Sequence, residues 1–216
     1  MEISHRGTYV CVEIRKNLNI GSLIRCCVAF GCTGIILIGS TEYYSFGSHG
    51  SQQHLCYYHF YNWHDFLVYV QTRNIGYHVI PNSKLGSERT VDSIKIENVT
   101  FTVADIMMFV VEDTYAIPPE VQVNCTSAIA VIAPNAVMND KIDYTAKVAV
   151  VLQYHAAMVG ASANQFHNEK FIVSKSDLKN SKVITLSESA HANADAESVE
   201  DITNDAMSTL FGEEDD

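Results

Sequence analysis

The chain has 216 residues, 47% of them hydrophobic, and a formal net charge of −11 at pH 7. That length suffices for one domain with a sizeable core, and no apolar run of about 18 residues is present that could span a membrane. Residues 188–216 hold ten of the 25 acidic residues and no Lys or Arg, so the rest carries 15 acids against 14 bases. Neither part has the strong positive charge typical of a protein that grips nucleic acid unaided.

Apolar runs alternate with helix-like segments as far as residue 160. We predict strands at Tyr9–Glu13, Ile35–Ile38, Tyr77–Ile80, Met107–Val111 and Ala128–Ile132. We predict helices at Gly21–Phe30, Gln52–Tyr58, Trp63–Asn74, Pro118–Asn124 and Lys141–Gly160. This alternation is typical of an α/β fold in which helices cover both faces of a mostly parallel sheet. The polar stretch from Asn82 to Thr100 is expected to be a surface loop.

Cysteine and histidine usage argues against disulfides and metal binding. The six cysteines form no C-x-x-C pair and lie mostly in apolar contexts, which predicts reduced, buried thiols. His49, His54, His59 and His64 are five residues apart and do not share a helix face, so no metal site is expected. The first ten residues lack a secretion signal. A cytoplasmic or nuclear location fits, an organelle matrix is equally compatible, and secretion is not expected.

The segment between the first two predicted strands, Asn19-Ile-Gly-Ser-Leu-Ile-Arg25, is the most informative in the chain. Asn19 is a suitable N-cap, and Gly21 allows close approach of backbone or ligand. Arg25 follows Gly21 by one helical turn. Ligands of open α/β sheets bind at the carboxyl ends of the strands, and a planar guanidinium there suits phosphate or ribose. The alternatives are a plain cap for Asn19 and a salt-bridging role for Arg25.

This segment, with the following Phe30-Gly31, resembles the first motif of the SPOUT RNA methyltransferases of the SpoU/TrmH branch. Further segments that agree with that branch in order and spacing, notably with its eukaryotic-type members, are Phe46–Ser51 with His59-Phe60, Val111–Ile117 at the second motif, Pro134–Thr145 at the third, and Lys170-Phe171. The resemblance covers the chain from Thr8 to Val173.

The resemblance implies a deep trefoil knot of the SPOUT type in residues 1–187. It also implies a homodimer that binds S-adenosylmethionine in the loops of the second and third motifs. The methyl acceptor in the family is usually a ribose 2′-hydroxyl of tRNA or rRNA. Residues 188–216 are predicted to be an acidic, disordered tail, with a short apolar patch that could dock a protein partner.

The resemblance also assigns site residues. Arg25 and Asn19 are the predicted catalytic residues, and Arg25 and Lys141 the predicted contacts to substrate RNA. The predicted cofactor-binding residues are Val111, Asp113, Ala116, Ile117, Ile132, Pro134, Ile142 and Asp143. Because the pKa of a guanidinium lies above about 12, Arg25 is expected to hold a phosphate and stabilise the developing alkoxide rather than accept a proton.

The second and third motifs depart from the family pattern. Val111, Thr114 and Ala116 occupy glycine positions, and β-branched residues at positive φ are serious outliers. We therefore expect either a remodelled backbone or a narrowed cofactor pocket. Lys141-Ile-Asp143 replaces a Ser-Leu-Asn triplet. The alternative function is a catalytically inactive homologue acting as an RNA–protein assembly or RNA-binding module. A Rossmann-type nucleotide binder is disfavoured, because no glycine-rich turn follows the first strand.

An aromatic-rich segment lies in the middle of the chain. Its aromatic residues are Tyr57, Tyr58, Phe60, Tyr61 and Trp63. Exposed aromatic rings could stack on unpaired bases, but packing in the core and in a dimer is the favoured interpretation for most of them. Together with an Ala-rich final helix, this segment leaves more apolar surface than one small sheet covers, which also predicts a homodimer.

Overall fold

A computed structural model describes residues 2–16, 18–82, 92–102, 104–113, 116–132, 142–160 and 183–186. The strands are β1 (Gly7–Ile14), β2 (Gly34–Gly39), β3 (Cys56–Phe60), β4 (Tyr77–Ile80), β5 (Ser93–Lys95), β6 (Ile106–Val111), β7 (Ser127–Ala130) and β8 (Val183–Thr185). The α-helices are α1 (Gly21–Ala29), α2 (Trp63–Thr72), α3 (Pro119–Val123) and α4 (Tyr144–Met158), with 3-10 helices at Ser51–His54 and Ile96–Asn98.

The eight strands form one sheet in the order β5-β7-β4-β6-β1-β2-β3-β8. All the pairings of these described strands are parallel. A hydrophobic core lies on each face. On one face Val10 of β1 clusters with Leu23 of α1 and Val151 of α4, and on the other Tyr9 clusters with Phe66 of α2. Successive residues of β1 thus face opposite cores, which confirms the predicted α/β sheet covered on both faces.

The predicted helix at Gln52–Tyr58 is wrong. The helical part of this segment is one 3-10 turn at Ser51–His54. Cys56–Phe60 is strand β3, which lies between β2 and β8. Tyr57 and Phe60 belong to the cores on opposite faces of the sheet. Backbone pairing on both sides and burial on both faces therefore decide the conformation of this segment over its local sequence pattern.

Two short edge strands were not expected from the sequence. Part of the stretch predicted to be a loop, Asn82 to Thr100, forms β5 and a 3-10 turn, and β5 pairs with β7. At the opposite edge β8 pairs with β3. The remaining predicted strands and helices are confirmed with bounds shifted by a few residues.

Several predictions concern residues outside those described. These residues include the tail at 188–216, the Lys170-Phe171 pair and the segment 133–141. The knot predicted for residues 1–187 therefore stays a prediction. All six cysteines are free, and the predicted burial is confirmed for Cys11, Cys27 and Cys32, whereas Cys26 and Cys125 are partly buried and Cys56 is exposed. Within the described ranges, no helix is long and apolar enough to cross a membrane. The same residues contain no group of three or more His, Cys, Asp and Glu placed to hold a metal.

Candidate functional site

The segment between β1 and α1 is pinned to the loop after β2 by backbone contacts. The Tyr44 N–H donates to the Leu18 carbonyl and the Ile20 N–H donates to the Tyr44 carbonyl, each at 2.9 Å. Gly21 lies directly against this loop, because a Cβ on it would sit 2.0 Å from the carbonyl oxygen of Phe46. The expected close approach at Gly21 is therefore an approach of backbone to backbone, and no larger residue fits without moving the loop.

Asn19 orders the turn that leads into α1. Its Oδ1 accepts a hydrogen bond from the Gly21 N–H at 3.0 Å. The predicted N-cap is wrong by one residue, since Ile20 is the cap and makes no side-chain cap bond. Asn19 itself is exposed, and its carbonyl accepts a hydrogen bond from the Tyr144 hydroxyl at 3.4 Å, which ties the start of α4 to this turn.

Arg25 lies on α1 one turn after Gly21 and is exposed. It makes no hydrogen bond or ion pair with any of the other described residues. It is also the one charged residue of α1. The salt-bridging alternative therefore finds no partner among the residues described, and the guanidinium can bind an anion from solution.

The second-motif segment is held in place by the carboxylate of Glu112, which follows β6. Glu112 is buried; its Oε2 accepts from the Asn82 N–H at 2.6 Å and its Oε1 from the Ile117 N–H at 3.2 Å. Val111 has no positive φ, and its side chain lies in the core. The expected remodelling of the backbone or narrowing of the cofactor pocket stays a prediction, and Thr114 lies outside the described residues.

The start of α4 carries the described part of the third motif. Asp143 caps the helix, with its Oδ1 accepting from the Ala146 N–H at 3.0 Å. Lys147, one turn later, is only 3% exposed, and its Nζ donates to the Asn82 Oδ1 at 3.4 Å. The Asn82 Nδ2 donates in turn to the Asp113 carbonyl. The buried polar network consists of four buried residues: Asn82, Glu112, Asp113 and Lys147.

The helix α4 brings the three motifs together at the edge of the sheet that is formed by the carboxyl ends of the strands. Its first turn reaches the first motif through Tyr144 and the second through Lys147 and Asn82. The strands β7, β4 and β6 are neighbours, so the residues after their carboxyl ends share that edge. Burial of Tyr144 is the main cause that raises the pKa of its hydroxyl, which therefore remains a neutral donor.

The predicted cofactor-binding residues at this edge differ in how far their side chains are exposed to solvent. Ile132 is 46% exposed, Ala116 is exposed and Ile142 is half-buried. Ile117 is buried, and its carbonyl accepts from the Gln122 Nε2 at 2.8 Å, so both of its backbone groups already have partners. Pro134 and Lys141 lie outside the described residues.

Sequence reasoning missed three members of the buried polar network: Asn82, Glu112 and Lys147. A signal for Lys147 was present, because it precedes Val151 by four residues and so falls on the apolar stripe of the predicted helix. Most of the aromatic-rich segment packs in the core as expected, namely Tyr57, Tyr58, Phe60 and Trp63. Tyr61 is 61% exposed.

Solved structures with the same fold are RNA-modifying enzymes. A TrmH/SpoU tRNA modifying enzyme from A. aeolicus is 15% identical, with a TM-score of 0.57 over 72% of this chain and 76% of that one. An AdoMet-bound rRNA methyltransferase from Sinorhizobium meliloti is 19% identical, with a TM-score of 0.53 over 72% and 58%. An RNA 2′-O ribose methyltransferase is 13% identical, with a TM-score of 0.57 over 74% and 58%.

The chain therefore spans less than two thirds of the length of the last two of these proteins. No curated protein matches it. The model of the SpoU rRNA Methylase family matches residues 8–137, which is more than half of the 216 residues and includes the first and second motifs. The chain belongs to the SpoU rRNA Methylase family, a family of RNA methyltransferases.

Proposed function

We propose that this protein is an S-adenosylmethionine-dependent RNA 2′-O-ribose methyltransferase acting on tRNA or rRNA. The observation that carries the proposal is the first motif: the turn is fixed by backbone bonds and by Asn19, while Arg25 is exposed and has no partner among the described residues. The names of the similar structures, a tRNA modifying enzyme and an RNA 2′-O ribose methyltransferase, support the same activity.

The described residues at the edge offer groups that suit S-adenosylmethionine. The exposed surface of Ile132 and the half-buried Ile142 can cover an adenine ring, and the exposed carboxylate of Asp143 suits the positive charge of the cofactor. The cofactor would supply an electrophilic methyl group. Asp113 is buried in the network and contributes its backbone carbonyl to Asn82.

In the proposed reaction, the residues of the first motif position the RNA. Arg25 holds a phosphate and lowers the energy of the developing alkoxide, because its fork of donors is always protonated. Asn19 keeps the turn in place and can contact the ribose. Lys141 is the second proposed contact to RNA. Positioning of the acceptor oxygen is the main catalytic contribution expected from this chain.

The buried polar network favours a second candidate function, a catalytically silent RNA–protein assembly or RNA-binding module. Its members already bind one another: Glu112 accepts from the Asn82 and Ile117 N–H groups, and Lys147 donates to Asn82. The network therefore leaves few donors and acceptors for a cofactor. The first motif would then bind RNA without methyl transfer.

Calorimetry with S-adenosylmethionine separates the two functions. A micromolar dissociation constant supports the methyltransferase, and absent or millimolar binding supports the module. S-adenosylhomocysteine is the matched control, because it lacks the sulfonium charge. A protein that binds the homocysteine compound but not S-adenosylmethionine would show that the site excludes the positive charge of the cofactor and not its shape.

We also propose that the protein is a homodimer. Val150 is 46% exposed on α4, and Met158, the last residue of that helix, is 40% exposed. Exposed apolar side chains on this helix are suited to an isologous interface. Light scattering at micromolar concentration is expected to give twice the chain mass of 24.0 kDa. A mass of one chain would contradict the dimer.

A further inference from the structure

Two aromatic side chains are exposed together beside the first motif. Tyr44 is 47% exposed and Phe46 is 69% exposed. Their rings are stacked, with centroids 5.4 Å apart and an interplanar angle of 28°. Stacked rings that keep much of their surface in solvent leave an aromatic face available to a ligand.

The loop that carries these rings is fixed rather than loose. The backbone of Tyr44 bonds to Leu18 and to Ile20, and the Phe46 carbonyl rests against Gly21. Further along the loop the Ser48 Oγ donates to the Gln52 Oε1 at 2.6 Å, and both residues are buried. The backbone that carries the ring pair is thus held before any ligand arrives, which lowers the entropic cost of binding.

The segment that follows the pair is poor in acidic residues. Glu42, which is exposed, precedes Tyr44 by two residues, but no Asp or Glu occurs from residue 43 to residue 64. Arg25 lies four residues after Gly21, and residues with that spacing share a helix face. Because Gly21 contacts the backbone of Phe46, the guanidinium and the rings belong to neighbouring parts of one surface. A cation beside exposed aromatic rings is the arrangement by which proteins bind single-stranded nucleic acid.

We infer that the Tyr44–Phe46 pair is a stacking platform for an unpaired base of the RNA whose phosphate Arg25 holds. This inference rests on the proposed function for its RNA substrate. A second copy of the chain fits the patch less well, since stable interfaces bury about 800 Å² on each partner. The residues around the rings, Ser45, Gly47 and His49, are small or polar, so the apolar area is closer to that of one base.

The test compares two substitutions of the same ring. Phe46→Leu keeps an apolar side chain but removes the aromatic face, whereas Phe46→Trp keeps the face and adds a fluorophore. Fluorescence anisotropy would measure a short single-stranded RNA and its duplex at one salt concentration, because affinity depends on salt. We expect Phe46→Leu to weaken single-strand binding roughly tenfold. The Phe46→Trp protein should bind like the unmodified one, with its indole fluorescence quenched by RNA.

Duplex binding should be unaffected by either substitution. Tyr61→Leu, which alters another exposed aromatic residue, is the control and should bind like the unmodified protein. The mass of the Phe46→Leu protein in solution should also be unchanged, and a lost dimer would assign the rings to a subunit interface and overturn the inference.

The outcomes separate the platform from the proposed activity. Equal binding of single-stranded RNA by the unmodified and Phe46→Leu proteins overturns the platform and leaves the methyltransferase proposal intact. Binding that needs an aromatic residue at position 46, in a protein that transfers no methyl group, supports the platform and overturns the methyltransferase. A protein that binds no RNA at all overturns both.

Discussion

The two parts of the candidate site are held in place by different chemistry. Around the first motif, backbone groups of Leu18, Ile20 and Tyr44 make the bonds to the neighbouring loop, Asn19 alone adds a side-chain bond to the turn, and the side chains of Arg25 and Phe46 are left exposed. In the buried polar network, charged and amide side chains do the fixing themselves. A side chain that holds the fold has fewer donors and acceptors left for a ligand, so the first part is better suited to binding and the second to stability.

The network must be complete to be stable. Transfer of charged groups from water to a protein interior is costly, and the cost is offset only when the groups are hydrogen-bonded. Glu112 and Lys147 are both more than nine-tenths buried, and both bond to Asn82, one to its N–H and the other to its side chain. Loss of the Asn82, Glu112 or Lys147 side chain leaves the others with unmet hydrogen-bonding groups.

Removal of Glu112 should have the largest effect on stability. Glu112→Ala leaves the N–H groups of Asn82 and Ile117 without their acceptor, so we expect a loss of about 3 kcal/mol or more in the free energy of unfolding. Urea denaturation measures it. Glu97→Ala, at an exposed position, should cost less than about 0.5 kcal/mol. Equal stability of the two variants would mean that Glu112 does not hold the second motif.

Arg25→Ala should instead leave the fold intact and act on RNA. The loss of a hydrogen bond to a charged group typically costs about 1.5–3 kcal/mol, so RNA affinity should fall and methyl transfer should be abolished. Arg25→Lys keeps the charge but not the planar fork, and should recover part of the affinity. Radiometric methyl transfer and RNA titration are the measurements. If Arg25→Ala transferred methyl groups at the unmodified rate, Arg25 would not belong to the site.

Gly21→Ala tests whether the close contact between Gly21 and the Phe46 backbone positions the exposed residues Arg25, Tyr44 and Phe46. The new Cβ would lie 2.0 Å from the Phe46 carbonyl oxygen, so the loop must move, at an expected cost of about 1–3 kcal/mol. RNA binding should weaken with it, because the Tyr44–Phe46 pair shifts relative to Arg25. Thermal denaturation and RNA titration measure the two effects. Ser22→Ala, one residue along the same helix, should change neither, and a Gly21→Ala protein that behaves the same way would show that the loop yields easily.

The sequence was a good guide where local patterns and tertiary structure agree. The alternating strands and helices and the turn from Asn19 to Arg25 were predicted, because periodicity and glycine placement are local signals. Strand β3 was mistaken for a helix since its partners are far away in sequence, and β5 and β8 are three-residue edge strands that pair through backbone groups. The buried polar network could not be predicted, because Asn82 and Lys147 meet only after the fold brings β4 and α4 together.

The acidic tail offers the smallest expected effect on stability. Ten acids without a Lys or Arg repel one another, and residues 188–216 have few large apolar groups, so the sequence predicts little stability from this segment. The tail lies outside the described residues. Truncation before Glu188 should leave the melting temperature nearly unchanged, as scanning calorimetry would show. A truncated protein that failed to fold would instead assign the tail a structural role.

The same truncation should strengthen RNA binding, because an anionic tail near the RNA would compete with its phosphates for Arg25. Interactions between solvent-exposed charges are screened beyond about 10 Å at 0.1 M salt, so the gain should be largest at low salt and should vanish at high salt. A full-length variant with the tail acids changed to Asn and Gln keeps the length and removes the charge, and it should bind RNA like the truncated protein. If both variants lost RNA affinity, the tail acids would contribute to binding instead of opposing it. If only the truncated protein lost affinity, uncharged groups of the tail would contact the RNA. The RNA-binding surface would then extend beyond the residues of the first motif.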